Sequence, residues 1–355
     1  MTRKVSEIRR DSEEQLYEAF LKNSKTYFEE NFTSRAENIR VDIEDFDVLA
    51  KLGAGAFGKI FLVQHKLSKS YYALKVLKKK LLKRTKQIDH TLTEKRVMQT
   101  MRHPFMVGME FHAVDNCNVY FVMPYMHGGD LFGVLNKYRK FDEDMTRFYA
   151  SQVFLALEHM HYLDVVFRDL KPENILVDHD GYIKLTDFGF AKLIKGRTFT
   201  ICGTPEYIAP ELIMMKGYGM SCDWWSFGIL IYELTAGIVP FKDKGDPLKL
   251  YSKIVDGRFP MIPSFSKELK DLMFDLLEIN VSKRIGCLRN GPTDIRRHPW
   301  FRNVKWLELF NKKIKAPYKP PPPNIEALMT KAFKYAPKIS IDLDYVDSGL
   351  QFNEY

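Results

Sequence analysis

A chain of 355 residues, 45% hydrophobic and 28% charged, carries enough apolar text for a packed core and exceeds the size at which one core stops growing, which excludes a disordered chain and predicts two lobes. Lys and Arg outnumber Asp and Glu 54 to 45, a net charge of +9, but the excess is dispersed, so no basic stripe interleaved with aromatics marks a nucleic-acid groove. Four cysteines, Cys117, Cys202, Cys222 and Cys287, form no C-x-x-C pair, which argues against zinc and for free thiols in a reducing compartment.

No run of about 18 apolar residues offers a transmembrane helix. The N-terminus lacks the apolar core of a signal peptide, and Met1-Thr2 is not the Met-Gly of a myristoylation site. A cytoplasmic or nuclear protein with no stable membrane anchor is expected.

Residues 1–11 are polar and basic. Ser12, with Gln15 three residues on, reads as a capping box that opens a helix. Leu16, Ala19, Phe20, Tyr27, Phe28 and Phe32 then follow at helical spacing, predicting an amphipathic helix lying on the main body. From Phe46 to Pro124 strand text dominates, with runs at Ile60–Val63, Tyr71–Val76 and Val119–Met123. One helical segment, around Ile88–Met101, interrupts it. From Met126 to Phe301 the patterns are helical, as in Asp144–Leu163, Cys222–Ala236 and Lys267–Leu277. Lys319-Pro320-Pro321-Pro322-Pro323 predicts an extended polyproline tail. The expected organisation is an N-terminal extension (1–43), a small β-rich lobe (44–126), a larger mainly helical lobe (127–301) and a tail (302–355), an α+β bilobal fold.

Gly53-Ala54-Gly55-Ala56-Phe57-Gly58-Lys59-Ile60 is a G-x-G-x-x-G with strand text on both sides. A dinucleotide fold would place a helix after it; a hairpin folded over phosphates suits this context better. Glycines let backbone N–H groups approach phosphate oxygens. A hairpin without ligand would fit the glycines alone. Lys75 follows in the next strand, and Glu94, 19 residues on in the helical segment, is a carboxylate that could pair with it; the alternative is a surface Glu beside Lys95 and Arg96.

Phe167-Arg168-Asp169-Leu170-Lys171-Pro172-Glu173-Asn174 is more specific. Asp169 could accept the hydrogen bond of a hydroxyl, Lys171 could neutralise a phosphoryl group in flight, and Asn174 could ligate metal through its amide oxygen. Asp187-Phe188-Gly189 adds the carboxylate that a hard cation such as Mg²⁺ requires. Phosphoryl transfer needs this inventory: in-line positioning, and cations around spreading negative charge. Ala209-Pro210-Glu211 completes a set that is the protein-kinase pattern.

On these motifs, and on Gly196–Tyr207 (GRTFTICGTPEY), Asp223-Trp224-Trp225 and Tyr232-Glu233, the chain resembles the basophilic protein kinases over nearly its full length. The resemblance is closest to the cyclic-AMP-dependent catalytic subunits. It implies a bilobal kinase fold, ATP and Mg²⁺ as cofactors, and transfer of a phosphoryl group to Ser or Thr. Gly53, Gly55, Phe57, Gly58, Ile60 and Ala73 would surround the nucleotide, with Met123 as gatekeeper. Pro124 carbonyl and Met126 N–H would meet the adenine edge; Pro124 keeps its carbonyl although it has no N–H. Lys75 and Glu94 would form the activating pair, Asp169 would be the base, and Asn174 and Asp187 would hold two magnesium ions. Lys171 and Thr204 would position hydroxyl and phosphate. Met98, Met109, Phe167 and Phe188 would stack as an apolar spine.

The resemblance also implies a phosphosite at Thr200, liganded by His90, Arg168 and Lys192, which would order the loop through charge-assisted pairs. Arg197, three residues before it, suits autophosphorylation. Glu173 and Glu233 would bind an Arg two residues before the target, Asp130 an Arg three before it, while Ile201, Pro205 and Ile208 would hold an apolar residue after it. The implied partners are basic protein substrates, a cyclic-nucleotide-binding regulatory subunit and pseudosubstrate inhibitors, with no nucleic acid.

The chain departs from this pattern in places. Asp130 is one methylene shorter than the usual Glu, predicting looser reading at minus three. Phe167 replaces His or Tyr. Phe199 replaces a Trp of the regulatory-subunit contact, leaving Tyr251 and the Trp224–Trp225 region. The tail lacks the Phe-Asp-Asp-Tyr element and reads Ala332-Phe333-Lys334-Tyr335-Ala336-Pro337-Lys338; Phe333 or Tyr335 would serve the adenine pocket, and distal basic residues would be read more weakly. Ser340 resembles a turn-motif phosphosite, and Phe352 and Tyr355 a terminal aromatic pair docking on the small lobe. Arg9-Arg10-Asp11-Ser12 and Arg3-Lys4-Val5-Ser6 match basic-basic-x-Ser, so Ser12 is either autophosphorylated at a helix N-terminus or a simple N-cap.

Two other functions compete. A pseudokinase binding module would have lost Lys75, Asp169, Asn174 or Asp187; all are present. A basophilic kinase controlled by cyclic GMP or lipid usually carries appended domains, for which 355 residues leave no room, so a separate inhibitory subunit is expected.

Overall fold

The computed structural model describes residues 2–33, 41–55, 58–333 and 352, without the side chains of 2–13 and 331–333. Helix α1 (Thr2–Asn31) leads the chain. The sequence predicts its start at Ser12, but the helix already runs from Thr2, because the Lys, Arg and Glu of residues 3–10 propagate a helix readily. Ser12 is therefore an interior helical residue and not an N-cap. The buried face also differs. Tyr17, Leu21, Phe28 and Phe32 are buried, while Leu16 is 62% exposed and Ala19 faces solvent. Phe20 packs on His103, His159 and Phe310, and Tyr27 lies under Arg102.

β1 (Phe46–Ala54), β2 (Gly58–His65), β3 (Tyr71–Lys78), α2 (Lys79–Arg84), α3 (Ile88–Thr100), β4 (Phe111–Val114) and β5 (Asn118–Pro124) build the small lobe. The strands form one antiparallel sheet in the order β1-β2-β3-β5-β4. Alternation gives it two faces. Phe61, Val63, Leu74, Val76, Tyr120 and Val122 close one core with Phe46. On the other face, Leu77, Val119, Phe121 and Met123 join the main core with Val97 and Met98 of α3.

The large lobe follows: α4 (Leu131–Tyr138), α5 (Glu143–Tyr162), β6 (Val165–Val166), β7 (Ile175–Val177), β8 (Ile183–Leu185), β9 (Lys192–Leu193), α6 (Pro210–Ile213), α7 (Ser221–Ala236), α8 (Pro247–Asp256), α9 (Lys267–Leu276) and α10 (Pro292–Arg297). α7 is apolar all round and buried along nearly its whole length, the mark of a central helix. Short pairings β6–β9 and β7–β8 carry the loops that matter below.

The tail contains α11 (Trp306–Phe310) and α12 (Ile325–Phe333). Between them, Ile314 exchanges hydrogen bonds with the Tyr182 hydroxyl, and Lys312 pairs with Asp180 at 2.9 Å, strapping the tail to the β7–β8 turn. The proline run carries neither helix nor strand. α12 is not foreseen by the sequence. Asn324 caps it by accepting from Ala327 N, and Ile325, Leu328 and Met329 turn one half-buried stripe as α12 packs along β1. Phe57, the Ser12 side chain, the Phe333 side chain, Tyr335, Ser340 and Tyr355 lie outside the described residues.

Candidate active site

The β1–β2 hairpin presents Gly53, Gly55 and Gly58 at its tip. Among the described residues, a Cβ added at Gly53 or Gly55 would meet nothing within 4 Å, whereas at Gly58 it would sit 2.1 Å from the Val76 carbonyl. Gly58 thus lets β2 lie close on β3, while Gly53 and Gly55 leave their outer side open. Directly opposed residues of antiparallel strands share a face. The register pairs Ile60 with Lys75, Lys75 with Phe121, and Ala73 with Met123, so Ile60, Ala73, Lys75 and Met123 point the same way. Pro124 ends β5, and Met126 is buried just beyond it.

Lys75 Nζ lies 2.5 Å from Glu94 Oε1, so the pair anticipated across 19 residues is formed. Asp187 Oδ1 approaches Lys75 at 3.5 Å. Burial disfavours the lysine's charge, but Glu94 and Asp187 more than offset it, and the Lys75 pKa is raised. Asp187 has a left-handed backbone (φ +61°), which turns it into the cleft ahead of Phe188. The Phe167 and Phe188 rings meet edge to face at 5.7 Å, and Met109 N donates to the Met98 carbonyl, so the four expected spine residues lie in one apolar core.

Three side chains converge on Asp169. Asn174 Nδ2 donates to its Oδ2 and to its backbone carbonyl, both at 2.8 Å. Thr204 Oγ1 donates to Oδ1 at 3.0 Å, and Lys171 Nζ lies 3.0 Å from Oδ2 and 2.8 Å from Thr204 Oγ1. The carboxylate is thus fixed in position by donors on both oxygens, as a group that is to accept a hydroxyl proton must be. With its amide nitrogen committed, Asn174 keeps its carbonyl oxygen for other partners. That oxygen and the half-exposed Asp187 carboxylate are hard donors that suit Mg²⁺.

The loop itself hangs from a residue to which the sequence assigns no role. Asp223 is fully buried; its Oδ1 accepts from Arg168 N at 2.8 Å, and its Oδ2 accepts from Phe167 N at 2.9 Å and from His161 Nε2 at 2.8 Å. A carboxylate flanked by Cys222 and Trp224 near the start of the apolar run 221–236 was the available signal, since such a group must find donors when buried.

Arg168 donates to the Phe190 carbonyl and to the Tyr218 hydroxyl, and Tyr218 in turn donates to the Thr200 carbonyl. Lys192 donates to Thr198 and not to Thr200. Thr200 is exposed. Burial, then Arg168 and Lys192, hold the His90 pKa down against the pull of Asp89, and His90 Nδ1 is buried with no hydrogen-bond partner among the described residues. Two cations and an imidazole thus gather without an anion paired to Arg168 or Lys192 among the described residues.

Beyond the loop lies an acidic pocket. Glu233 accepts from the Tyr207 hydroxyl, and burial together with neighbouring Glu173 and Glu206 pushes its carboxyl up. Asp130 is committed elsewhere: it is the N-cap of α4, and its Oδ1 accepts from Gly133 N at 2.7 Å. Ile201 and Pro205 are exposed and Ile208 is buried. Trp224 and Trp225 are buried at 1% and 0% exposure, so they offer no surface to a regulatory partner and that expectation is corrected. Phe199, at 67% exposure, and Tyr251, half-buried, remain accessible. Phe352 is buried, with Lys79 Nζ 4.9 Å from its ring centre, which places it on the small lobe.

A model of the protein kinase domain matches residues 46–301. The chain is 43% identical over 309 residues to the cAMP-dependent protein kinase catalytic subunit 2 of Drosophila melanogaster, with 86% of either chain covered. It is 44% identical over 282 residues to the cAMP-dependent protein kinase type 3 of Saccharomyces cerevisiae, covering 79% of this chain and 71% of that one. Over 278 residues it is 42% identical to the human cAMP-dependent protein kinase catalytic subunit PRKX, covering 78% and 77%.

Proposed function

Since this chain belongs to the protein kinase family, as an ATP-dependent Ser/Thr kinase of the cyclic-AMP-dependent catalytic-subunit type, we propose that it phosphorylates Arg-Arg-x-Ser/Thr-hydrophobic segments and is held inactive by a cyclic-nucleotide-binding regulatory subunit. The observation that carries this reading is the convergence of Lys171, Thr204 and Asn174 on Asp169, next to the acidic pocket of Glu173 and Glu233.

Asp169 accepts the proton of the substrate hydroxyl as its oxygen attacks. Lys171 and Thr204 hold that oxygen in line. On the small lobe, Lys75, steadied by Glu94, brings positive charge to the nucleotide phosphates. Mg-ATP supplies the phosphoryl group and its charge neutralisation, with Asn174 and Asp187 as the metal-holding pair and Gly53, Gly55 and Gly58 over the phosphates. Glu233 and Glu173 recognise the Arg at minus two through a carboxylate fork. Asp130, spent on the α4 cap, contributes less at minus three.

A phosphate on Thr200 would give Arg168, Lys192 and His90 the anion they lack and tie the activation segment to the catalytic loop. Exposed Phe199 and Ile201 would form part of the regulatory-subunit and pseudosubstrate contact. Among the described residues no helix is long and apolar enough to cross a membrane, and a cytoplasmic or nuclear site of action is proposed. Ser12, now inside a helix, would need α1 to unwind locally before it could enter an active site.

The test is transfer from Mg-ATP to an Arg-Arg-x-Ser peptide, beside Arg→Ala peptides and an Asp169→Ala enzyme. Transfer that needs Asp169 and the minus-two Arg supports the proposal. No transfer by Thr200-phosphorylated protein would instead favour a pseudokinase.

A further inference from the structure

The positive excess, expected to be dispersed, has one source. Residues 48–88 hold eleven Lys and Arg and no Asp or Glu, and outside them Asp and Glu outnumber Lys and Arg 45 to 43. That segment, from β1 to α2, accounts for the net charge of the whole chain. Seven of its eleven cations lie in residues 75–86. Lys75 is spent on Glu94, and Lys79 is buried, its Nζ 4.9 Å from the Phe352 ring centre. Lys78, Lys80, Lys83, Arg84 and Lys86 are exposed.

These cations share one surface. Lys80, Lys83 and Arg84 stand at i, i+3 and i+4 on the outer face of α2, whose inner face is Lys79 and Leu82. Lys78 immediately precedes the helix. Exposed Lys59 lies diagonally from it on β2, because Lys59 opposes Val76, and Val76 and Lys78 share a face. Lys59, Lys78, Lys83, Arg84 and Lys86 have no ion-pair partner among the described residues. Asp115, on the turn where Lys79 N meets the Cys117 carbonyl, is engaged by Cys117 N, Asn118 N and the Tyr120 hydroxyl. Asp89 lies in the first turn of α3, where the helix dipole favours it. Like charges at i+3 and i+4 repel, and the fold recovers nothing from them.

An anionic partner recovers that cost, and the residue types say which kind. No residue from 78 to 86 is aromatic, so no base can stack there. All but one of the cations are Lys, flexible point charges and not the planar forks that read a single carboxylate or phosphate. We propose that the outer face of α2, with Lys59, Lys78 and Lys86, adsorbs the protein to an anionic lipid bilayer. Each basic residue near such a surface strengthens adsorption about fivefold, and the attraction fades within a Debye length of about 8 Å. The contact is reversible and salt-sensitive, an adsorption and not an anchor.

The test is sedimentation of the full chain with phosphatidylcholine vesicles that contain phosphatidylserine, beside vesicles of phosphatidylcholine alone. Binding to the anionic vesicles only is expected, and raising salt from about 0.05 M to about 0.5 M should abolish it. Lys83→Gln/Arg84→Gln/Lys86→Gln should weaken it about a hundredfold. Lys313→Gln/Lys315→Gln/Lys319→Gln removes the same charge from exposed tail positions and should weaken it less than about threefold. Both variants should keep the parent rate of peptide phosphorylation measured without vesicles. No sedimentation with anionic vesicles, equal sedimentation with uncharged ones, or equal losses in the two variants would overturn the proposal. Binding of inositol hexakisphosphate or duplex DNA without binding of vesicles would identify a soluble polyanion and overturn it equally.

Discussion

Two buried carboxylate–cation pairs, one from each lobe, are built differently. In the large lobe, fully buried Arg284 meets both oxygens of Glu211 at 2.8 and 3.0 Å. It also donates to the Glu278 and Ser221 carbonyls and lies over Trp225. In the small lobe, Lys75 meets one oxygen of Glu94 and reaches toward Asp187 at an open cleft. The first pair is closed to any further partner and locks α6 to α7. The second keeps donor capacity free, which a ligand-binding pair requires. The contrast between committed and available charges extends to Asp130, bound to its cap, and Glu233, which faces two other carboxylates.

Four experiments put that contrast at risk. Arg284→Met strands a buried Glu211 and should cost about 3–5 kcal/mol of large-lobe stability by denaturant titration; a loss below about 1 kcal/mol would show that the pair is not a lock. Lys75→Met should lower kcat/KM about 10²–10³-fold, some 3–4 kcal/mol of transition-state stabilisation. Its cost in stability should be less than half that of Arg284→Met, because Glu94 can take up a proton beside an open cleft.

The third concerns neutral buried groups. His103 and His159 stack at 5.0 Å between Phe20 of α1 and Phe310 of α11, with Lys184 as the charged neighbour of His103. Burial holds His159 down to about 4 and His103 well below the usual range. The unfolded chain therefore takes up protons below pH ~6.5 that the folded chain refuses until about 4. Stability from the pair is present above that window and lost as pH falls through it. Acidification from pH 7 to about 4.5 should cost roughly 1–3 kcal/mol and speed amide exchange in α1, and His159→Phe should flatten the dependence. An unchanged slope in that variant would remove His159 from the account.

The smallest effects separate the two substrate carboxylates. Glu233→Gln should raise KM for an Arg-Arg-x-Ser peptide about tenfold, near 1.4 kcal/mol. Asp130→Asn keeps the cap acceptor and should change KM by less than about threefold, with stability within roughly 0.5 kcal/mol. Because Glu233 is pushed up, its protonation on acidification should raise peptide KM at a pH above the ordinary glutamate range. Equal effects of the two variants would mean that Asp130 leaves its cap to meet substrate.

Much of the site is legible because its residues are contiguous. Arg168 to Asn174 and Asp187 to Gly189 each lie on one short loop, so spacing alone puts Lys171 and Asn174 within reach of Asp169. The strands are legible for a related reason: the short apolar and aromatic runs at Ile60–Val63 and Tyr71–Val76 mark them along the chain, although which face each residue takes is set by the pairing. Elements with weak or conflicting local signals are less so. Ser12 and Gln15 spell a helix start that the helix formers before them override. α12 follows a proline run that dominates the local text, although Asn324 marks its start.

Which residues carry the chemistry, and which strands and helices bear them, can be read along the chain, since adjacency and periodicity are properties of the chain. What meets across long separations was settled by folding. Asp223 holds a loop 55 residues away, Arg284 closes on Glu211 across 73, and Tyr17 rather than Leu16 faces the body. Such contacts leave no repeat or spacing to read. They arise because a buried polar group must be satisfied by whatever neighbour packing supplies, and that neighbour is known only once the chain has folded.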